Sequence, residues 1–289
     1  MVTRTASAPF TLWSGAKTSA FHLVAGILAA LFLFPLIWAV LNSLKSPAEA
    51  NTIPPTFLPR SLSLGSYETL GKYGAGLSAY AGNSLIVALI TVAGTVVISV
   101  LAGYGFSRYE FRGKNLTFVT ILAILMVPYA TMLLPLYILL GVFGLQDSLI
   151  GLGLVLVMFQ LPFGVLIMRN AFDSIPRELE EAAFLDGAGP LGALRHVSLR
   201  IVTPGVVTVG LFAFLASWNE FLAPLIFLST GEKFTLPLML VSVREGTFGQ
   251  IDFGALQAGI VVAMIPCIVL YLVLHRYYVN GLLNGALRG

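Results

Sequence analysis

Long apolar runs separated by short polar segments dominate the pattern of residues along this chain. A helix needs roughly 20 mainly apolar residues to cross a bilayer, and strict alternation typical of half-buried strands is missing from the runs. The pattern predicts an all-α, polytopic membrane protein with one transmembrane domain over residues 1–289. Its six predicted spans cover residues 20–43, 83–107, 117–140, 149–170, 202–225 and 256–279.

Composition and charge support a membrane environment. The chain is 57% hydrophobic and 10% charged, whereas a soluble domain is about 45–50% apolar and about 25% charged. The net charge of +3 does not indicate nucleic-acid binding, because the basic residues are scattered between apolar runs and flank them. The single cysteine, Cys267, excludes an intramolecular disulfide and a cysteine-based metal site.

The basic residues also predict the orientation. With the amino terminus inside, eleven of the sixteen Lys and Arg residues fall in internal segments, and this bias predicts that both termini are cytoplasmic. The predicted external loops are then 44–82 and 228–255, and the longest internal loop is 171–201. Prolines inside the predicted spans are tolerable, since neighbouring helices in a bundle can satisfy the freed carbonyls.

One dense polar segment, "RELEEAAFLDGAGP" over 177–190, stands in the internal loop. Ser174 and Pro176 predict the start of a short helix, because proline is favoured in the first turn. Acidic residues near that start suit the positive end of the helix dipole. Gly187 predicts a left-handed end, and Pro190 predicts the start of a second helix, "PLGALRHVSLR". The carboxylates of the segment are Glu178, Glu180, Glu181 and Asp186.

The first loop helix has a shallow apolar face. Leu179, Ala182 and Ala183 share one side at i, i+3 and i+4 spacing, and acids flank them. A short helix of this kind suits a groove on a partner protein. The alternative is an amphipathic helix on lipid headgroups, although such helices usually carry basic polar faces. The residues favour partner docking and leave the lipid alternative open.

The segment "EAAFLDGAGPLGALRHVSLRIVTPG" resembles the EAA loop of binding-protein-dependent ABC importer permeases. Glu181, Ala182, Ala183 and Gly187 match the family pattern, and Arg200 departs from it where a proline is usual. Further motifs extend the resemblance over nearly the whole chain, to carbohydrate-type permeases related to the second, six-span membrane subunit of the maltose transporter. These motifs are "NSLIVA", "GYGFSRYEFRGKN", "ASWNEFLAPLIF", "TLPLML" and "NGLLNGALRG".

The resemblance implies the fold of a type I ABC importer transmembrane domain and a role in the import of a sugar or related polyol across a bacterial or archaeal inner membrane. It implies three kinds of protein partner besides membrane lipid: a homologous permease subunit, two ATPase subunits and an external solute-binding protein. The loop helix would be the coupling helix that follows ATPase closure and brings about alternating access. Its implied coupling residues are Glu181, Ala182, Ala183, Asp186 and Gly187.

The chain lacks the sequence motifs of an enzyme. It contains no G-x-x-x-x-G-K-[ST] phosphate loop, no H-E-x-x-H and no G-x-S-x-G. We therefore expect no catalytic residue, no metal and no cofactor on this chain, with ATP and Mg²⁺ bound by the partner ATPase. "NGLLNGALRG" at the carboxy terminus is a further candidate for contact with that ATPase, or a frayed end.

Ionisable and amide residues inside predicted spans mark a possible solute path or gate, since such residues usually face the bundle interior. Glu220 and Asn219 lie in the fifth predicted span, sixteen and fifteen residues after Pro204, and Gln160 lies in the fourth. Structural or gating roles are favoured over direct solute contact at Glu220.

Two other classes of function remain as alternatives. An ion-coupled secondary transporter of a small polar solute would need ionisable residues near the midplane and repeat-related broken helices, and no convincing set is visible. An integral membrane enzyme would need a nucleophile, base or metal cluster, and none is visible either.

Overall fold

The computed structural model describes residues 12–245 and 251–286, and the side chains of 18–244 and 251–274. Within these ranges the chain is helical and has no strand, which confirms the predicted all-α class. Its α-helices are α1 Leu12–Ser43, α2 Pro47–Ala50, α3 Gly65–Gly71, α4 Leu77–Arg108, α5 Lys114–Ala123, α6 Tyr129–Val142, α7 Leu149–Asp173, α8 Glu178–Leu185, α9 Pro190–Ala193, α10 Leu199–Ile201, α11 Thr203–Trp218, α12 Leu222–Phe227, α13 Leu236–Glu245 and α14 Phe253–Ala286.

Four helices of the described chain, α1, α4, α7 and α14, are long and apolar enough to cross a membrane. The count rises to six if each of two bent pairs forms one span. The four long helices and the first bent pair fall where the apolar runs predict spans, whereas Pro190–Ile201 of the second pair lies in the loop predicted to be internal. Four basic residues used for the predicted orientation lie outside the described side chains: Arg4, Lys17, Arg276 and Arg288.

The third predicted span is broken. Lys114–Met126 and Tyr129–Val142 are bent by 106°, so the apolar run over 117–140 is not one continuous helix. Val127 is extended, with φ −80° and ψ 128°, because a residue before proline is disfavoured in the α region. Four other prolines of the predicted spans lie inside continuous helices, as expected for a bundle: Pro35, Pro135, Pro162 and Pro266.

The fifth predicted span is also interrupted. A bend of 79° between Pro190–Ile201 and Thr203–Trp218 lies at the start of this span, and within the span α11 ends at Trp218 instead of continuing to residue 225. The side-chain amide of Asn219 donates to the carbonyl of Leu215 at 2.8 Å. Asparagine side chains offer the backbone such local alternatives to the helical ladder, and α12 begins only at Leu222.

The centre of the molecule is the packing of α4 against α7 and α11. Glycines allow the close approach of α4 and α7: a Cβ atom on Gly103 would lie 2.6 Å from Cβ of Met168, and one on Gly153 would lie 2.7 Å from Cγ2 of Ile90. Small residues at helix contacts let membrane helices pack through backbone contact. By contrast, α1 packs mainly on α14, and most of its side chains are exposed.

The segments predicted to be external meet at one end of the bundle. The Asn83 amide donates to the Glu232 carbonyl at 2.8 Å, and the Asp147 carboxylate pairs with Lys233 Nζ at 2.9 Å. Hydrogen bonds from the Thr230 hydroxyl and Lys233 hold the pKa of Asp147 well below its ordinary value. Arg108 and α8 lie at the other end of the 32-residue α4.

Candidate functional site

The loop helix α8 forms because its two ends are well specified. Its first turn carries three carboxylates, beginning with Glu178, where the helix dipole favours negative charge. Its last turn ends at Gly187, whose φ of 87° is left-handed as predicted. The Gly187 N–H donates to the Phe184 carbonyl at 3.0 Å and the Ala188 N–H to the Ala183 carbonyl at 2.9 Å, which is the glycine-ended C-cap of many helices.

The elements before and after α8 differ in detail from the expected ones. Ser174 closes α7, since its hydroxyl donates to the Ala171 carbonyl at 2.7 Å; its predicted role as the start of α8 is wrong. The second loop helix starts at Pro190 as expected, but a π-helical turn over Leu194–Ser198 joins α9 to α10. The bend that follows at Val202 sets the direction of α11.

One side of α8 is open. Glu181, Ala182, Asp186 and Gly187 are exposed, and Ala183 is half-buried. Three large apolar side chains extend this open surface, Leu179, Phe184 and Leu185, of which Leu185 is 90% exposed. The predicted coupling residues therefore form one accessible patch with apolar neighbours that this chain leaves uncovered.

The other side of α8 holds a buried carboxylate, Glu180, which is only 4% exposed. Both of its oxygens lie 3.0 Å from Nε of Arg108 at the end of α4. The Tyr104 hydroxyl donates to it at 3.4 Å, and the Ser198 hydroxyl donates from the π-helical turn. Sequence reasoning treated Glu180 as one of several flanking acids and missed this contact.

Nothing local in the sequence identifies the partner of Glu180. Glu178, Glu180 and Glu181 are equivalent by composition, and Arg108 is 72 residues away from Glu180 along the chain. The available signal is the helical rotation of about 100° per residue, which places Glu180 and Glu181 on different sides of α8. Knowing which side meets α4 requires the tertiary structure.

Two of the three predicted solute-path residues share a cavity of about 290 Å³. Gln160 of α7 and Glu220 face it together with Tyr129, Phe159 and Ser217. The rings of Tyr129 and Phe159 meet edge to face, with centroids 4.6 Å apart. The cavity thus combines an aromatic wall with amide, hydroxyl and carboxylate groups, which is the usual composition of a small-molecule site.

Glu220 occupies the break between α11 and α12 and is not a residue within one continuous helix, as its count from Pro204 assumed. Its Oε1 accepts the N–H groups of Leu222 and Ala223 at 2.8 and 3.0 Å. The carboxylate therefore caps α12, where the helix dipole favours negative charge.

Tyr129 is a cavity residue that sequence reasoning missed. It is the first residue of α6, directly after the break. Its buried hydroxyl lies near the Glu220 carboxylate but makes no hydrogen bond of ordinary geometry among the described residues. Finding it requires the position of the break, because tyrosine is common in the other helices as well.

Asn219 does not join Gln160 and Glu220. It lies at a separate depression between α1, α11, α13 and α14, beside Cys267. Its amide donates to the Leu215 carbonyl and lies 4.0 Å from the Cys267 sulfur. The structure assigns it contacts within the helix bundle.

The described part of the chain offers no set of ligands for a metal ion. No group of three or more His, Cys, Asp and Glu side chains is arranged there to hold a metal ion.

The chain is an apolar bundle with bent helices, an uncovered loop helix at one end and a cavity lined by both apolar and polar side chains, an arrangement that suits a transporter membrane subunit. Residues 94–283 match the family described as binding-protein-dependent transport system inner membrane component. The chain belongs to this family, the membrane-embedded permeases of ABC importers.

Curated relatives agree with this assignment. The chain is 35% identical over 267 residues to the sulfoquinovosyl glycerol transport system permease protein SmoH of Agrobacterium fabrum, covering 92% of this chain and 93% of that protein. It is 32% identical over 270 residues to the trehalose/maltose transport system permease protein MalG of Thermococcus litoralis, covering 91% and 94%.

A solved structure shows the same fold. The chain aligns with a TM-score of 0.79 to a chain of a bacterial ABC transporter involved in the import of the acidic polysaccharide alginate. The alignment covers 94% of this chain and all of the solved one at 22% identity. The predicted importer fold is thereby confirmed.

Proposed function

We propose that this protein is the membrane subunit of an ATP-driven importer of a sugar or related polyol, and that a separate ATPase drives it through α8. The curated relatives carry names of sugar and sugar-derivative permeases. The observation that carries the proposal is the uncovered face of α8, with Ala182 exposed beside the apolar Leu179 and Leu185. An exposed apolar surface on a helix outside the membrane is best explained by contact with a protein partner.

The energy source lies outside this chain. The sequence has no phosphate-binding loop, so ATP and Mg²⁺ bind to the partner. The complete transporter contains this chain, a homologous second permease, two ATPase subunits and an external solute-binding protein. This composition follows the resemblance to carbohydrate-type permeases.

We place α8 and both termini on the cytoplasmic side of the inner membrane. The bias of basic residues supports this orientation. The grouping of contacts supports it too: the predicted internal segments meet through Arg108 and Glu180, and the predicted external ones through Asn83 and Glu232.

A bulky substitution in the docking face tests the proposal. Ala182→Trp adds a large side chain at an exposed position, so it should leave folding intact and block the partner groove. We expect the variant to insert normally but to lose its ATPase subunits on affinity purification. Ser61→Trp, exposed in the predicted external loop, is the control and should retain them. Equal retention by both variants would contradict docking through α8.

We assign the solute path to the cavity lined by Gln160, Glu220 and Tyr129. Sugars present hydroxyl groups and apolar ring faces, which amide, hydroxyl and aromatic side chains bind together. Gln160→Ala should raise the KM for uptake, measured in proteoliposomes with labelled maltose and trehalose as the first probes. An unchanged KM for every transported sugar would assign Gln160 to helix packing.

Nucleotide dependence separates this proposal from the ion-coupled alternative. Uptake into vesicles should require internal ATP and should not respond to a sodium or proton gradient alone. Gradient-driven uptake without nucleotide would establish a secondary transporter.

A further inference from the structure

We propose that Arg108 and Glu180 form the joint through which movement of α8 reaches α4, and so the solute cavity. The inference rests on the proposed function, because it concerns the stroke that an ATPase would deliver to α8. It assigns to the two residues a positioning role that is separate from ATPase docking.

The joint is buried and has several bonds. The side chains of Arg108 and Glu180 are 8% and 5% exposed. The Arg108 guanidinium contacts both Glu180 oxygens through Nε and donates through Nη2 to the Ile175 carbonyl at 3.2 Å. One side chain of α4 therefore holds both α8 and the segment that leads into it.

Glu180 completes the connection from the other side. Its carboxylate accepts the Ser198 hydroxyl of the π-helical turn and the Tyr104 hydroxyl of α4. A single carboxylate thus ties together α8, the second half of the loop and α4. Hydrogen bonds to charged groups are stronger and more directional than neutral ones, so the three elements are constrained to move together.

The link to α4 depends on these side chains. The backbone of α8 packs mainly on the π-helical turn and on α9, with no comparable packing on α4. A space of about 180 Å³ beside the ion pair, lined by Tyr109, Arg177 and Phe184 among others, leaves α8 room to tilt about the contact. Directional bonds can transmit a pull as well as a push, whereas apolar contact transmits mainly a push.

Movement of α4 has a route to the cavity. Its closest packing is along α7 and α11, and these two helices supply Phe159, Gln160, Ala216 and Ser217 to the cavity wall. Tight contacts such as Gly103 against Met168 leave little room for α4 to slide past α7. A displacement of the end of α4 should therefore change access to Gln160.

Stability and coupling can be separated by two kinds of variant. Removing one charge leaves the other buried without a partner, which destabilises a protein strongly, while replacing both by apolar residues is often neutral. R108M and E180M alone should therefore be less stable than the R108M/E180M double variant. If the pair only stabilises the fold, the double variant should also regain coupling; if it is the joint, coupling should stay lost.

The assay uses the assembled transporter with its binding protein in proteoliposomes. The reporter is Q160C in a C267S background, labelled from outside by a membrane-impermeant maleimide with and without Mg-ATP and vanadate. Trapping should change the labelling rate about tenfold when coupling is intact. In R108M/E180M we expect ATPase subunits to remain bound and hydrolysis to continue, with no change in labelling on trapping.

A second ion pair, Lys114 and Glu110, joined at 2.8 Å on the same end of the molecule with side chains 12% and 78% exposed, provides the control. K114M/E110M should respond to trapping as the parent does. A normal response by R108M/E180M would overturn the joint. If the double variant is not recovered from membranes, R108K decides: it keeps the charge but loses the fork geometry, and an unchanged trapping response in R108K would equally overturn the proposal.

Failure of the proposed function has a different signature. In that case the parent reporter itself would purify without an ATPase and show no response to trapping. Loss of response confined to the Arg108 and Glu180 variants supports the joint.

Discussion

The loop helix α8 and the cavity around Gln160 both contain polar side chains, but they use them differently. At α8, the buried Glu180 accepts hydrogen bonds from three donor groups on two other elements. In the cavity, the Tyr129 hydroxyl lies near the Glu220 carboxylate but makes no hydrogen bond of ordinary geometry among the described residues, and one oxygen of Glu220 accepts two local backbone N–H groups.

This difference matches the work proposed for each region. A part that transmits movement needs bonds that persist, whereas a part that admits and releases a solute needs polar groups that are free to exchange partners. Buried polar groups usually carry hydrogen bonds, so an unpaired one is a pointer to a missing ligand or water. The following predictions test the contrast, from the largest expected effect to the smallest.

Glu180→Ala should cause the largest loss. It leaves the Arg108 guanidinium buried without its counter-ion, and breaking such a pair costs roughly 3–5 kcal/mol. Glu178→Ala removes an exposed acid two residues before Glu180 and should change stability little. Thermal unfolding of the purified variants in detergent measures both. Similar unfolding midpoints for the two variants would show that the buried ion pair contributes no more to stability than an exposed acid does.

Gly187→Ala should weaken coupling by straining the end of α8. Its φ of 87° is unfavourable for a residue with a Cβ atom, at about 1–2 kcal/mol, although no atom lies within 4 Å of the added carbon. Gly187→Pro also deletes the N–H donor and should uncouple ATP hydrolysis from transport. Solute uptake per ATP hydrolysed is the measurement.

Gly189→Ala is the matched control for that experiment. Gly189 has an ordinary φ of −79° and the same open surroundings, so the identical chemical change should leave uptake per ATP unaltered. Normal coupling in Gly187→Pro would count heavily against a role of the helix end in docking.

Tyr129→Phe should affect transport without affecting the fold. The substitution removes only the hydroxyl, which makes no hydrogen bond of ordinary geometry among the described residues, and keeps the ring against Phe159. If that hydroxyl binds the solute, its loss should raise KM by up to about tenfold, the value of one hydrogen bond. Tyr137→Phe, on the same helix but outside the cavity lining, should leave KM unchanged. Equal KM values in the native protein, Tyr129→Phe and Tyr137→Phe would show that the Tyr129 hydroxyl does not bind the solute.

The contact of Asp147 with the loop at residues 229–233 should give a small dependence of stability on acid. The pKa of Asp147 is lowered in the folded state, first by the Thr230 hydroxyl and then by Lys233. The stabilisation is therefore complete at neutral pH and declines as the pH falls below the unfolded pKa of about 3.9. The difference in thermal-unfolding midpoint between the native protein and Asp147→Asn should be constant from pH 7 to pH 5. At pH 3 it should be smaller, because Asp147 is then partly protonated in the unfolded state.

Local signals in the sequence identified much of α8. The acids of its first turn and the left-handed Gly187 follow from the dipole and from the conformational freedom of glycine, both of which act within a few residues. The role of Glu180 could not be predicted, because it depends on Arg108, 72 residues away.

Prolines show the same limit inside the bundle. Pro128 and Pro162 both interrupt apolar runs, yet the chain breaks before Pro128 and stays helical through Pro162. The outcome depends on whether neighbouring helices can satisfy the freed carbonyls, which no local pattern states. The cavity depends on that break and on the second one at Glu220, so only part of its lining could be predicted.

Side-specific labelling of α8 tests the central claim most directly. Ala182→Cys in a C267S background places one thiol on the exposed face, and a membrane-impermeant maleimide reports which side it faces and whether a partner covers it. We predict labelling in inside-out but not in right-side-out vesicles, and protection of the thiol when the ATPase subunits are bound. Labelling from the outside, or labelling that bound ATPase does not reduce, would contradict the account.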